Sequence, residues 1–583
     1  MNTILAPVFY LSRSVDESAL TRIPADAVQF DPGKEFIELD NVDKTENAPL
    51  SIAMVYNEFT VLNPCMLSMI IGADWQFKLY LNGELQFNTF EHNKQESIFS
   101  TFQVNIQTRA GKNLLALEVT RGAASSYFTI SEGVKQSIQY SPTMEISLDV
   151  ASIKGKIKPM NAVNNGPKTA GDSQVKSNTA SWNAAKIPYA RNHDASISGY
   201  GSAHIVDVHM IFPDFTKDPY DPASYDFVLS DIYHQAIIDG GTKIFYRLGS
   251  RIEHSIVKYG TKKPADFNKW AVICEHIIRH YTEGWANGFK WDIQYWEIWN
   301  EPDLSSGQTN KRTWGGTDEE FFEMYRIAAC HLKKQFPHLK IGGPALAGSI
   351  QWAKRFLQSI SSGKRVPLDF FSWHIYTSNP RAVPQMANVM RGLLANYGYQ
   401  ESENILNEWN YIRNWTTGFV YSTETIISIK GAAFTAAVMN ESQNSPVDLL
   451  MYYDARPGTG FNGLWDFYTM RPLKSYYTIC LWSKLAELGK QFAVTVPENH
   501  DISAVGATDG NGKIGILISR FYEEDQLPPA TEVKLAPGSF SLQGAKLYLL
   551  DKENDLAEKP LSFNADGTVS FEMEANSVAY IEK

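Results

Sequence analysis

Two glutamates stand where this sequence can do chemistry. Glu301 closes the run Ile293-Gln294-Tyr295-Trp296-Glu297-Ile298-Trp299-Asn300-Glu301-Pro302. Glu408 lies far downstream, in Asn404-Ile405-Leu406-Asn407-Glu408-Trp409. Both runs carry the β-branched and aromatic bulk of a buried strand. Pro302 has no amide to donate and biases Glu301 away from helix, so the first strand stops there. Each carboxylate is thus delivered at the carboxyl end of a strand. A lone Asn-Glu-Pro also fits a loop cap. Two strand-end glutamates fit the pair that hydrolysis of a glycosidic bond needs. One carboxyl protonates the leaving oxygen, and the other attacks or assists at the anomeric carbon.

The elements that must position this pair alternate. Strand-like runs fall at 187–194, 206–212, 243–248, 293–299, 339–344, 370–376, 404–409 and 447–453. Helical periodicity separates most of them, as at about 226–239, 270–281 and 318–335. Trp270, Ile273, Cys274, Ile277, Ile278 and Tyr281 share one helix face, and Gly284 follows as the stop. Eight strands with helical crossovers predict a (β/α)8 barrel, with catalytic groups at the carboxyl ends of its strands.

The rest of the 583 residues predicts two flanking β-sandwiches. The domain reading is 1–145 for an amino-terminal jelly-roll-like sandwich, 146–487 for the barrel with its entry segment, and 488–583 for a carboxyl-terminal sandwich. In the first, Trp75, Phe77, Leu79 and Leu81 alternate before Asn82-Gly83. A three-residue loop there predicts pairs Leu81–Leu85 and Leu79–Phe87, which keep the apolar face whole. Asn161, Asn164, Asn165, Gly166 and Pro167 read as a loop. No long Gly/Ser or Pro-rich spacer follows residue 145, so the first sandwich is expected to pack on the barrel.

Composition narrows the partners. A net charge of −11 with no basic stripe argues against nucleic acid. No stretch is apolar enough to span a bilayer. The start shows no signal peptide, so a cytoplasmic protein is expected, with a removed export signal as the alternative. Cys65, Cys274, Cys330 and Cys480 are far apart and predict no disulfide framework; Cys274 and Cys330 read as buried thiols on helix faces. Aromatics make up 13%, which fits either large cores or sugar stacking. There is no HExxH, phosphate loop or dinucleotide fingerprint, and the 12 His are scattered, so no cofactor and no metal are expected. The oligomeric state is left open.

The wording from Trp296 to Asp303, followed by Ile405 to Tyr411, resembles clan A glycoside hydrolases, and within them family 39, which includes β-xylosidases and α-L-iduronidases. Arg191-Asn192-His193 resembles that family's Arg-x-His, and His374-Ile375-Tyr376 its His-x-Tyr. The resemblance implies Glu301 as general acid/base and Glu408 as nucleophile. It implies Asn300 on the sugar 2-hydroxyl, Tyr376 orienting Glu408, and His374 lining the same subsite. His374 and Tyr376 are alternatively core packing. Arg191 is either part of the site or a structural ion pair, with His193 and Asp194 facing the sugar. Trp465 is a stacking platform or a plain loop aromatic; Asp454 and Arg456 are further candidates for sugar hydroxyls. Asn407 departs from the family's usual Thr-Glu wording, which leaves the sugar open. The run from Ala73 to Phe87 resembles jelly-roll modules attached to carbohydrate-active enzymes. The implied function is a retaining glycoside hydrolase on a carbohydrate substrate, exo-acting on xyloside-like sugars. An endo-glycanase or transglycosylase with the same pair is the alternative; from another class, a non-catalytic carbohydrate-binding protein.

Overall fold

The computed structural model describes residues 4–13, 20–32, 37–42, 52–73, 76–89, 101–120, 127–133, 141–169, 176–195, 204–415, 418–498 and 501–583. Its centre is a closed barrel of eight parallel strands. These are β1 (Ala162–Asn164), β2 (Tyr189–Arg191), β3 (Lys243–Leu248), β4 (Tyr295–Ile298), β5 (Lys340–Leu346), β6 (Phe370–Tyr376), β7 (Glu403–Asn410) and β8 (Leu449–Tyr452). The ring closes where Ala162 pairs with Met451.

One expected strand and one expected loop are corrected. The 206–212 run holds a short helix, Val208–Ile211, burying Val208 and Ile211 one turn apart. A short apolar run fits helix and strand equally, and periodicity alone does not separate them. The missing strand is β1, inside the asparagine-rich run read as a loop. Asn164 there donates its side-chain amide to the carbonyls of Asn407 (2.8 Å) and Met451 (3.3 Å), so its polar group serves the ladder. The run at 187–194 is therefore β2, and from β3 onward the order is as read.

The barrel's lower end is plugged by Ala162, Phe245, Tyr295, Phe370, Ile405, Leu449 and Met451. Phe245 stacks on Tyr295 at 5.1 Å and meets Phe370 edge-on at 5.2 Å. Polar groups gather above this plug, toward the carboxyl ends of the strands. Some of the outer helices start on side-chain caps. Asp266 accepts from the amides of Asn268 and Lys269 ahead of Phe267–Thr282. Thr317 and Glu320 form a capping box ahead of Asp318–Gln335.

The amino-terminal region forms a six-stranded and a four-stranded sheet among the described residues. Trp75 lies outside those residues. The hairpin differs from expectation. Asn82 and Gly83, both at positive φ, make a two-residue turn pairing Leu81 with Glu84. A register shift then restores Leu79 opposite Phe87, and Leu85 is left exposed. The bulge repairs the apolar face that a strict two-residue turn would have inverted. This sandwich touches the barrel: Tyr127 joins the barrel's apolar cluster, and Lys354 pairs with buried Glu38 at 2.8 Å.

The carboxyl-terminal strands form a ten-stranded sheet around one core. One member comes from before the barrel. Thr143–Lys156 runs antiparallel to Lys490–Thr495 and parallel to Thr531–Ala536. Helices Ile429–Gln443 and Lys474–Leu488 pack between barrel and sheet. Cys274 is buried as expected, but Cys330 is exposed. No helix among the described residues is long and apolar enough to cross a membrane.

Candidate active site

Glu301 is fixed by its backbone. β4 ends in a twist that puts Trp299 (φ 77°) and Glu301 (φ 48°) in the left-handed region, where a non-glycine residue is strained by about 1–3 kcal/mol. Glu301 donates its amide to the Ala345 carbonyl at 2.9 Å. Asp303, next after Pro302, accepts from the amides of Ala347 (2.9 Å) and Ser349 (3.1 Å). The loops after β4 and β5 are thereby tied together and hold Glu301 between them.

Glu408 is aimed by a register shift. Trp373 pairs with Leu406 but His374 pairs with Glu408, so Asn407 is the extra residue on β7. Strict alternation would send Asn407 and Glu408 to opposite faces. With the bulge, both reach into the barrel: Asn407 donates to Glu297, and Glu408 accepts from Tyr376. On β6, Ser372, His374 and Tyr376 share the inner face by simple alternation.

Beneath the two glutamates lies a buried polar layer built on Arg191. Its Nε donates to Glu297 Oε2 (2.7 Å), one terminal nitrogen to Asn164 (3.1 Å) and Glu408 Oε2 (3.3 Å), and the other to Asn300 Oδ1 (2.6 Å). Glu297 also accepts from the Ser372 hydroxyl at 2.6 Å and from the Asn407 amide. Of the two readings of Arg191, the ion pair with Glu297 is the tighter contact, and the same guanidinium reaches Glu408 and Asn300.

The upper layer brings Glu301, His374 and Glu408 together. His374 Nδ1 lies 2.7 Å from Glu301 Oε1 and 3.6 Å from Glu408 Oε2. One ligand atom from each of the three falls within 4.8 Å of the others. Tyr376 donates its hydroxyl to Glu408 Oε1 at 2.5 Å. Burial drives the pKa values here. It pulls His374 down to about 4, against the pull of Glu408, so the ring is neutral at pH 7. It raises both glutamates to about 7. Glu408 is drawn back by His374, Arg191 and the Tyr376 hydroxyl, while Glu301 raises it further. Glu301 feels Arg191 and Arg312 against it and Asp194 with it. Two carboxyls this close titrate as a pair. Arg191 and Tyr376 donate to Glu408, whereas Glu301 has the neutral His374 ring beside it.

A third group flanks the pair. Asp194 (φ 60°) accepts from the Tyr453 hydroxyl at 2.8 Å and lies 3.4 Å from His193 and 3.3 Å from His204. Burial would raise its pKa, but His193, His204 and Arg456 hold it well below the usual carboxylate range. Arg456 donates to the Asp194 carbonyl and to Asp454 (3.2 Å). Asp454 is fully buried and accepts from Asn165 as well. Asp454 and Arg456 thus brace the backbone under Asp194.

Trp465 is placed away from the mouth. It is 1% exposed, stacks on Trp182 at 5.6 Å and donates its indole N–H to Ser181. It packs the barrel wall and offers no free ring face. Two contributors were not singled out as site residues from the sequence: Glu297 and Tyr453. A charged residue inside a buried aromatic strand was the available signal for Glu297.

Among the described residues, buried Asn300 Nδ2 and His193 Nδ1 find no hydrogen-bond partner, while the Asn407 side chain hydrogen-bonds His374. Among the described residues, Glu301, His374 and Glu408 are the group with metal-ligand spacing. The Arg191 cation against Glu408 disfavours a second positive charge there.

Residues 202–448 match the model for glycosyl hydrolases family 39. A beta-xylosidase from Geobacillus stearothermophilus is 33% identical over 149 residues, 25% of this chain and 25% of that protein. One from Caldicellulosiruptor saccharolyticus is 32% identical over 140 residues, 23% of this chain and 27% of that protein. The chain thus matches about a quarter of the length of these curated relatives. A glucosidase structure from Croceicoccus marinus aligns with TM-score 0.62 at 20% identity, covering 76% of this chain and 99% of that one. A monomeric beta-xylosidase from Caulobacter crescentus aligns with TM-score 0.55 at 17% identity, covering 76% and 99%. These two share the fold. The family 39 resemblance read from the motifs is borne out over residues 202–448.

Proposed function

We propose that the chain is a retaining glycoside hydrolase acting on xylosides or closely related sugars. Glu408 is the nucleophile and Glu301 the general acid/base. The observation that carries this reading is the approach of the two carboxylates, whose nearer oxygens lie within 4.8 Å of each other. Retention uses carboxyls about 5–5.5 Å apart, whereas inversion needs roughly 6.5–9.5 Å to admit a water. The xyloside preference is supported by the two beta-xylosidase relatives.

In the first step Glu408 attacks the anomeric carbon as the leaving oxygen takes the Glu301 proton. The glycosyl ester that forms removes the charge on Glu408. The carboxylate left on Glu301 then loses its repelling neighbour, and it accepts a proton from the attacking water. Attack by that water at the anomeric carbon restores the original configuration and frees Glu408. His374 stays neutral throughout and acts as a hydrogen-bonding wall for Glu301. Asn300, held by Arg191, supplies an amide N–H for the sugar 2-hydroxyl, and Asp194 accepts from another hydroxyl.

The test is the configuration of the first-formed product from an aryl β-xyloside, followed by proton NMR. The expected product is the β-anomer. A first-formed α-anomer would overturn the assignment of Glu408 as nucleophile. Absence of turnover across a panel of aryl glycosides would overturn the enzyme itself.

A further inference from the structure

The loop after β7 holds a ring that the chemistry above does not use. Trp415 is 47% exposed. Its indole meets Tyr376 edge-on, with ring centres 5.0 Å apart at 73°, and Tyr376 holds Glu408. Phe419 lies nearly parallel to it at 6.1 Å and 20°, and Phe461 closes the group at 6.2 Å. The indole is therefore backed by other rings on one side and open on another, one side chain away from the nucleophile. A rigid aromatic with an open face is the form that a stacking surface takes.

The segment leading to the ring is fixed from outside the barrel. Arg413 donates to Glu523 (2.8 Å) and Asp525 (3.2 Å), and Tyr411 donates to Glu523 (2.9 Å). Lys430 lies 3.3 Å from the same Glu523 carboxylate. Glu523 and Asp525 follow strand Ile514–Arg520 of the carboxyl-terminal sheet. Asn414 then accepts from the Gly418 amide at 2.6 Å. Three cationic or hydroxyl partners on one carboxylate are more than a solvent-facing loop needs to stay folded. They suit a loop that must hold one orientation.

We propose that Trp415 is the stacking platform of a second sugar subsite, adjoining the cleavage subsite, for a pyranose ring of an oligosaccharide substrate. This rests on the hydrolase reading and deepens it. The open side of the indole keeps the hydroxyls of a stacked sugar in water while its C–H face covers the ring. A wholly apolar group would call for an enclosed pocket.

The experiment compares two substrates that differ in the number of rings: xylotriose, and β-xylosyl fluoride, whose leaving group has none. In Trp415→Ala, the ratio of kcat/KM on xylotriose to that on the fluoride should fall about tenfold, mainly through KM for the trisaccharide. Trp415→Phe should restore most of the ratio. An unchanged ratio in Trp415→Ala, including equal loss on both substrates, would overturn the proposal. If the wild-type protein hydrolyses neither substrate, the xyloside reading fails by itself. The platform is then judged by calorimetric titration of the Glu408→Gln protein with xylotriose, cellotriose and mannotriose. Weakening of any of them about tenfold by Trp415→Ala supports the platform. No binding, or binding indifferent to Trp415, overturns it.

Discussion

Two layers of buried carboxylate sit one above the other in this barrel, and they are treated differently. In the lower layer Glu297 is ringed by donors: Arg191, Ser372 and Asn407. In the upper layer Glu301 and Glu408 are nearly as buried with fewer donors each, and among the described residues Asn300 Nδ2 beside them has no partner. The lower layer is a closed network, which fixes geometry. The upper layer leaves hydrogen-bonding capacity unspent where a substrate would sit. A buried carboxylate with its donors complete makes a scaffold; one left with room for a further partner makes a reactive group.

The comparison breaks most visibly at Glu408. On the proposed mechanism Glu408→Gln lowers kcat by roughly 10⁴-fold or more, with the fold retained by circular dichroism. Residual turnover within tenfold of wild type would return the pair to an ordinary buried contact. In the lower layer the loss is one of stability. Glu297→Gln leaves Arg191 with less buried counter-charge and should cost about 3 kcal/mol in denaturant unfolding. A change below about 0.5 kcal/mol would mean that the network is not a scaffold.

Tyr376→Phe sharpens the contrast within the upper layer. Loss of one supporting donor should lower kcat about 10- to 100-fold, or roughly 1.4–2.7 kcal/mol. The hydroxyl lowers the Glu408 pKa, so its removal should also move the acid limb of the kcat/KM profile to higher pH. Unchanged kinetics would make Tyr376 packing alone.

The smallest effect is on stability against pH. The Glu408 pKa is about 7 in the folded chain against 4.5 for the free side chain. Below pH 4.5 both states are protonated and folding is unaffected. Above it the folded state resists ionising, so stability falls as pH rises toward 7 and then levels. Glu408→Gln removes that term. It should gain on the order of 1–3 kcal/mol over wild type at pH 8 and nothing at pH 4. An equal difference at both pH values would show that the gain is not ionisation.

Much of this arrangement is legible in the sequence, for reasons that also mark its limits. Long aromatic strands such as β4, β6 and β7 declare themselves, although β4 ends at Ile298, three residues before Glu301, where Pro302 predicts its end. β1 does not, because three residues between asparagines carry too little apolar pattern. Val208–Ile211 reads as strand because four residues do not separate periods of 2 and 3.6. Glu301, Glu408, His374 and Tyr376 are picked out by wording and strand position, and the structure brings them together. Glu297 was in plain view and passed over, since its importance lies in what surrounds it in space. That Trp465 is buried and Trp415 half-exposed is hidden for the same reason: exposure is a property of packing, and both are tryptophans in loops. The bulge at Asn407 is likewise silent in sequence, although it aims the nucleophile.

The strand Thr143–Lys156 has one more consequence, in the order of synthesis. Its partners, Lys490–Thr495 and Thr531–Ala536, are made only after the whole barrel. At roughly 5–20 residues per second, this strand waits on the order of half a minute on a growing chain with its ladder edges unmatched. The barrel's entrance strand is therefore an early-made, late-satisfied segment. A ribosome stalled before residue 490 would hold a chain whose most exposed sticky edge lies not at its newest end but beside its first domain.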